Sequence, residues 1–294
     1  MFFSKWNIGL EIQPHQMIAV AAQKKRYGWQ LRGWWQIAFP YPVYNQQGLS
    51  SSDLLIQTLT QWRKNLPRNL SIRLTLPNHL ILQQTLTLPE QLTTPQDLQW
   101  YVEASVDKVF PLSLNELTID YRPYRKNSGN IVLVTATKRA QLTQWINALH
   151  AANLTPDIID IEASILHSLA GKAGLALKTL LLHRAPQYNL LISPHEHDFY
   201  FEQFPHYPVM TTETKSLLLE HYQQATQQSA QHISLSGDIS TYTTDENIHY
   251  WSPFTAIRQL TAPLPHNLAL FSISCGLAIR EDDHDTNQSI SLEN

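Results

Sequence analysis

Between Ile131 and Leu169 the spacing of apolar positions changes period twice. Ile131–Thr137 is a β-branched apolar run. Leu142, Trp145, Ile146, Leu149 and Ala152 then recur at three- and four-residue intervals, the stripe of an amphipathic helix. A short apolar run, Asp157–Ile161, and a second helical stretch, Glu162–Ala170, follow. A strand, a helix of about four turns and a strand predict a right-handed parallel crossover buried beneath its helix.

The amino-terminal third alternates with period two. Trp6–Ile12, Gln16–Gln23 and Gly28–Ala38 read as strands, the last two joined at the charged tip Lys24-Lys25-Arg26-Tyr27-Gly28. Alternation puts Tyr27, Trp29, Leu31, Trp35 and Ile37 on one face of the third strand and Trp34 on the other. Ser50–Asp53 offers caps for a helix over 54–65 with Leu55, Leu59 and Trp62 inward. Strands at 71–76 and 80–88, a helix over 96–108 after Thr93-Thr94-Pro95, and a strand at 117–124 come next. Gly171 and Gly174 mark a break. Beyond it, 180–183, 189–193, 198–203, 232–236 and 249–251 read as strands, and 215–230 and 269–280 as helices. The acidic, polar tail from Glu281 to Asn294 has nothing to bury and is expected to be disordered.

Composition narrows the function classes. A chain of 294 residues with 43% apolar residues can bury one large core or two lobes. Its 21 basic and 24 acidic residues include no basic run long enough to track a phosphate backbone, which argues against direct DNA binding. The single cysteine, Cys275, excludes an internal disulfide and a cysteine-based metal cluster. The first residues lack the pattern of a secretory leader, and nowhere do 18 apolar residues run consecutively. A cytoplasmic protein without direct membrane insertion is expected.

Residues with latent chemistry are few. His195 and His197, with Glu196 and His206 near in sequence, could in principle ligate a metal, but closely spaced histidines in a polar loop are ordinarily just exposed. Cys275 lies in an apolar helix and reads as packing. Ser236 and Asp238 have no Gly-x-Ser-x-Gly context. Asp160 and Glu162, at a strand-to-helix junction, read as structural carboxylates beside a positive helix end.

Several segments resemble one family in order. Val134-Thr135-Ala136-Thr137-Lys138, the helix after it and Leu154-Thr155-Pro156-Asp157-Ile158-Ile159-Asp160-Ile161-Glu162-Ala163 are similar to the PilM family of type IV pilus assembly proteins. So are Trp100–Ala104 with Val109–Tyr121, and Ser274–Arg280. The closest likeness is to the HofM or ComA branch, associated with DNA uptake and utilisation. The resemblance implies an α/β, two-lobed actin-like fold. The first-lobe core would be 1–70 and 125–172, an inserted small α+β subdomain 71–124, and a shortened second lobe 173–280.

The resemblance also locates the nucleotide loops of such a fold. Phosphate loops need glycine and free backbone amides. At the first loop Glu11 stands for the family's Asp, Gln13 replaces its Gly, and Pro14 removes an amide donor. The second, Leu182–Tyr188, has neither acid nor glycine and offers only Arg184 toward a phosphate; the third keeps one glycine, Gly237. These losses argue against ATP and Mg²⁺ as cofactors and against an enzyme. The implied function is a non-catalytic scaffold, peripheral to the inner membrane through a partner. That partner would be a PilN-like single-span membrane protein, whose cytoplasmic amino-terminal tail is held in a first-lobe groove. The wall residues would be Val109, Phe110, Pro111 and Leu112, so that Phe110→Glu abolishes tail binding and leaves the fold. The alternative is an actin-like ATP-binding switch in the same assembly.

Overall fold

The computed structural model describes residues 5–90, 92, 94–126, 129–206, 211–239, 249–260 and 263–281. Its strands are β1 (Trp6–Gln13), β2 (Gln16–Lys25), β3 (Gly28–Ala38), β4 (Tyr44–Asn45), β5 (Gly48–Leu49), β6 (Leu70–Leu76), β7 (Ile81–Thr87), β8 (Leu117–Lys126), β9 (Gly129–Lys138), β10 (Pro156–Ile161), β11 (Thr179–Arg184), β12 (Asn189–Ile192), β13 (Phe201–Phe204), β14 (His232–Gly237) and β15 (His249–Tyr250). The helices are α1 (Ser52–Arg63), α2 (Pro95–Val109), α3 (Arg139–Ala151), α4 (Glu162–Lys172), α5 (Thr212–Thr226) and α6 (Ser272–Ala278).

Two five-stranded sheets, ordered β10-β6-β1-β2-β3 and β13-β12-β11-β14-β15, form the lobes. Strand alternation sorts the first sheet's side chains onto two faces. Ile8, Leu10, Met17 and Ala19 pack under Leu55, Leu59 and Trp62 of α1 and Trp145 and Leu149 of α3. Ile18, Val20 and Ala22 face the other way, onto α4 and α6. Those two helices lie between the sheets and meet Leu181, Leu190 and Ile192 of the second. The far face of the second sheet is covered by Leu218 and Tyr222 of α5.

The middle layer is tight where glycine permits it. A Cβ on Gly9 would fall 2.0 Å from the Ser274 carbonyl oxygen of α6, and one on Gly276 2.5 Å from Ile165 Cγ2 of α4. At its far end α6 is met by cations. Buried Arg73 donates to the Leu277 carbonyl at 3.3 Å and to that of Arg280, and Lys172 to Ile279 O at 3.2 Å, the sign that a helix carboxyl end favours.

A third sheet, β7-β9-β8, carries α2 on one face through Val102, Val106 and Phe110 against Leu86, Val132 and Val134. Thr94 caps α2 by accepting from Asp97 N at 3.1 Å.

Three expectations are corrected. The run 131–137 and the run 157–161 do not pair: β9 is antiparallel in the third sheet, and β10 lies parallel to β6 in the first. The helix between them therefore links two sheets. Strand membership also departs from a division at residues 71 and 124, since β6 joins the first sheet and β9 the third. Third, the aromatic face of β3 is split. A bulge opposite Ala21 and Ala22, which pair with Gly33 and Leu31, inserts Arg32. It reverses the alternation, so Trp29 and Leu31 face α4 and α6 while Trp35 and Ile37 face α1. Of the tail, 282–294 lies outside the described residues.

Candidate functional site

The cleft between the lobes and a groove beside the third sheet are candidate ligand sites.

The cleft is where the turns of the β1–β2 and β11–β12 hairpins meet the start of α4. Of the expected nucleotide-loop positions, Glu11 and Gln13 are buried and bonded to each other, Gln13 Nε2 donating to Glu11 Oε1 at 2.6 Å. The chain of amides continues, Gln16 Nε2 donating to Gln13 Oε1 at 2.6 Å and Gln36 Nε2 to Gln16 Oε1 at 2.8 Å. Pro14 has no N–H, and the turn's carbonyls are taken by the segment that crosses over it. Val43 N donates to Pro14 O at 2.9 Å, and Phe39 N to His15 O at 2.7 Å. From the second hairpin, the buried Tyr188 hydroxyl donates to Glu162 Oε2 at 2.8 Å and accepts from Asn78 N at 3.1 Å.

Electrostatics in the cleft disfavour an anion. Burial pushes the Glu11 carboxyl up to about 8, a rise that the Gln13 hydrogen bond opposes and the nearby Glu162 reinforces. Burial likewise raises Glu162 to about 7, against the hydrogen bond from Tyr188. The Tyr44 hydroxyl is raised by burial and by both carboxyls. A phosphate needs donors and positive potential; it would meet two buried acids, a proline and a tyrosine already bonded. These residues do not fit a Mg²⁺-nucleotide.

Gly237 is present for a structural reason. It has φ +85°, and a Cβ there would lie 2.2 Å from Arg184 O, which also accepts from Asp238 N at 3.1 Å. His183 is buried, meets Ser236 Oγ at 2.9 Å through Nδ1, and is held down to about 3 by burial, so it stays neutral. The loop histidines are dispersed. His197 Nδ1 meets Tyr222 OH at 2.8 Å, His206 Nε2 meets Ala185 O at 2.8 Å, and His195 Nδ1 lies 3.4 Å from Glu196. No group of metal-ligating side chains occurs among the described residues. Cys275 is buried, its thiol raised by burial.

The groove lies on the face of the third sheet opposite α2. Phe110 is buried in the small core under α2, with Val109 and Leu112 packed against that core, and Leu112 borders a separate depression with Asn115 and Arg139. None of Val109, Phe110, Pro111 or Leu112 lines the groove. Its walls come instead from the uncovered face of the third sheet, by alternation with the residues beneath α2. Gln83, Thr135 and Leu133 stand opposite Ile159 and Ile161 of β10, Ser164 and Ser168 of α4, and Phe199 from the β12–β13 loop. The cavity is about 480 Å³ and mainly apolar.

Polar bonds brace its rim. Arg122 of β8 donates to Ser164 Oγ at 2.9 Å and lies 3.6 Å from Asp160. Asp160 in turn accepts from Arg280 Nε at 2.6 Å and from Ile161 N at 2.8 Å. His167 stacks edge-on against Phe199, centroids 5.4 Å apart, and its Nε2 meets Pro194 O at 3.2 Å. Burial lowers its pKa. Sequence reasoning had Asp160 as a structural carboxylate; the structure places it at the groove, bonded to Arg280 and the Ile161 amide. Sequence reasoning missed Arg122, His167 and Phe199, whose approach depends on three elements far apart in the chain.

Comparison with known proteins places this geometry. The model of the family described as type IV pilus assembly protein PilM matches residues 9–176. The DNA utilization protein HofM of Escherichia coli (strain K12) is 22% identical over 160 residues, 53% of this chain and 62% of that protein, so the match spans less than two thirds of HofM. Among solved structures, a PilM–PilN type IV pilus biogenesis complex superposes with TM-score 0.70 at 14% identity, covering 92% of this chain and 97% of the other. The cytoplasmic domain of EpsL, an inner membrane component of the type II secretion system of Vibrio cholerae, gives 0.56 at 8% identity, covering 95% and 96%. A Bacteroides thetaiotaomicron protein of unknown function with an actin-like ATPase fold gives 0.50 at 10%, covering 94% and 97%. The expected α/β actin-like fold is thus the observed one. With more than half of its length matched by the family model, the chain belongs to the PilM family of type IV pilus assembly proteins.

Proposed function

We propose that this chain is a non-catalytic scaffold in the inner-membrane part of a type IV pilus-like or DNA-uptake apparatus. It holds the extended cytoplasmic tail of a PilN-like membrane protein in the groove between β10 and the third sheet. The observation that carries this reading is the groove itself: about 480 Å³, mainly apolar, beside a strand that pairs on one side only among the described residues. An unpaired edge offers main-chain hydrogen bonds and the apolar walls take alternate side chains, the requirements for adding a strand. Kinship supports the partner class, because the structure superposing at 0.70 is a PilM–PilN complex. No helix among the described residues is long and apolar enough to cross a membrane; in this reading the partner supplies the membrane attachment.

The actin-like fold is the observation that favours a nucleotide switch, and the composition of the cleft opposes it. Two measurements separate the readings. Ser168 is exposed and lines the groove. Ser168→Trp is expected to abolish binding of a PilN-family tail peptide without moving the melting temperature; unchanged affinity removes the groove reading. Millimolar Mg-ATP is expected to leave the melting temperature unchanged. A rise of roughly 2 to 4 °C, repeated with ADP, would make the switch the better account.

A further inference from the structure

Phe199 is a residue of the second lobe in the wall of a first-lobe groove. The loop that carries it is pinned, Ser193 N donating to Tyr200 O at 2.9 Å and Tyr200 N to Ser193 Oγ at 3.0 Å. On its other side lies a second cavity of about 340 Å³, which shares Gln83, Leu133 and Phe199 with the first and adds Thr85, Asp198, Phe201 and Ala225. Phe199 therefore stands in the shared wall of two neighbouring cavities, together called the channel.

The edges along this channel indicate what it is shaped for. β10 ends the first sheet, β7 the third and β13 the second, and each pairs on one side only among the described residues. The first cavity is bordered by β10 and β7, the second by β7 and β13. Unpaired strand edges are ordinarily covered or blunted. Three of them converging on one channel fit an extended main chain better than a compact ligand.

We propose that the bound tail does not stop in the first-lobe groove but continues past Phe199 into the second cavity, so that a single extended segment is read by both lobes. The inference rests on the groove reading above. The chemistry of the two compartments differs in the order such a tail requires. The first has mainly apolar walls for apolar anchors, and of its charged side chains Asp160 is already bonded to Arg280 and lies 3.6 Å from Arg122, whereas the charged side chain lining the second is Asp198. Cytoplasmic segments next to a membrane span are enriched in Lys and Arg, so the segment that enters the second cavity carries a basic residue facing Asp198. Binding then adds a link between the lobes to the one already made by Asn78, whose Nδ2 donates to Gln203 Oε1 at 2.8 Å.

The test uses the full chain and a fluorescent peptide of the complete cytoplasmic tail of a PilN-family protein, read by anisotropy. Ala225 is exposed and lines only the second cavity. Ala225→Trp is expected to weaken binding at least about tenfold by blocking that compartment. Asp198→Asn is expected to weaken it about fivefold and to flatten the salt dependence; it serves as the check if the larger substitution disturbs folding. Full affinity in both variants, with binding still lost in Ser168→Trp, overturns the two-lobe inference and leaves the groove reading standing. A peptide that fails to bind the unaltered chain overturns both.

Discussion

The cleft and the groove are built from the same kinds of element, yet they treat their polar groups in opposite ways. In the cleft, side chains from both lobes satisfy one another: Gln16 bonds Gln13, Gln13 bonds Glu11, and Tyr188 bridges Glu162 and Asn78. In the groove, hydrogen-bonding capacity stays at the rim, where Arg122 meets Ser164, and the walls are largely apolar. These bonds add rigidity to the cleft, where Glu11 Oε2 and Asn78 Oδ1 are nevertheless buried without a hydrogen-bond partner among the described residues, each at a cost of roughly 1 to 3 kcal/mol. A site with apolar walls and a free strand edge gains by being covered. In this chain side-chain bonds link the lobes at the cleft, while the mainly apolar groove lies to one side.

The strongest way to break this contrast is to titrate the cleft. Glu11 and Glu162 are raised by burial from the usual carboxylate range to about 8 and about 7. The folded state therefore holds protons that the unfolded chain releases above about pH 4.5, and stability is fully present below that pH. It is lost as pH rises through 7 and 8. Chemical denaturation should show a decline of several kcal/mol between pH 5 and 8. Glu11→Gln should remove part of it, leaving stability at pH 5 nearly unchanged and raising it at pH 8 by roughly 3 kcal/mol. A variant with the same pH slope as the parent would mean that solvent reaches Glu11 and that the cleft is not sealed. A smaller effect is expected at Tyr188. Tyr188→Phe leaves Asn78 N and Glu162 Oε2 without their shared partner and should cost about 2 kcal/mol. A loss below about 0.5 kcal/mol would say that water substitutes freely.

What was legible in the sequence follows the same division. The degenerate phosphate loops could be seen because the chemistry is local: Pro14 lacks an amide wherever it sits, and Gln13 carries a side chain where phosphate would approach backbone. Strands were legible from alternation, but their partners were not. Leu70–Leu76 and Ile131–Thr137 have similar apolar patterns, and nothing local says that the first pairs with β1 and the second with β7 and β8. The bulge at Arg32 was equally hidden, because one extra residue leaves the composition of β3 unchanged while exchanging its faces. Val109–Leu112 show the same limit of local reading. The proline-marked loop is distinctive in sequence, but Phe110 is held by the packing of α2. Phe199, Arg122 and His167 carried no local signal, since what distinguishes them is their convergence.

The smallest effect on stability, and the sharpest division between the two regions, is expected at Arg122. Its guanidinium reaches from β8 across to Ser164 at 2.9 Å and toward Asp160 at 3.6 Å, yet its side chain is 52% exposed. An ion pair so open to solvent contributes about 0 to 1 kcal/mol. Asp160 also keeps Arg280 at 2.6 Å and Ile161 N at 2.8 Å when Arg122 is gone. Arg122→Ala should therefore lower stability by less than about 1 kcal/mol. It should still weaken tail binding, because the bridge fixes the spacing of the third sheet from α4 and a groove that must be reset before binding loses affinity. Melting and anisotropy on the same variant decide the matter. A loss above about 2 kcal/mol would make Arg122 a strut of the kind found in the cleft. Unchanged affinity would mean that the groove keeps its width without it. A small stability change with weakened binding would show that the rim of the groove, unlike the interior of the cleft, is arranged for a partner more than for the fold.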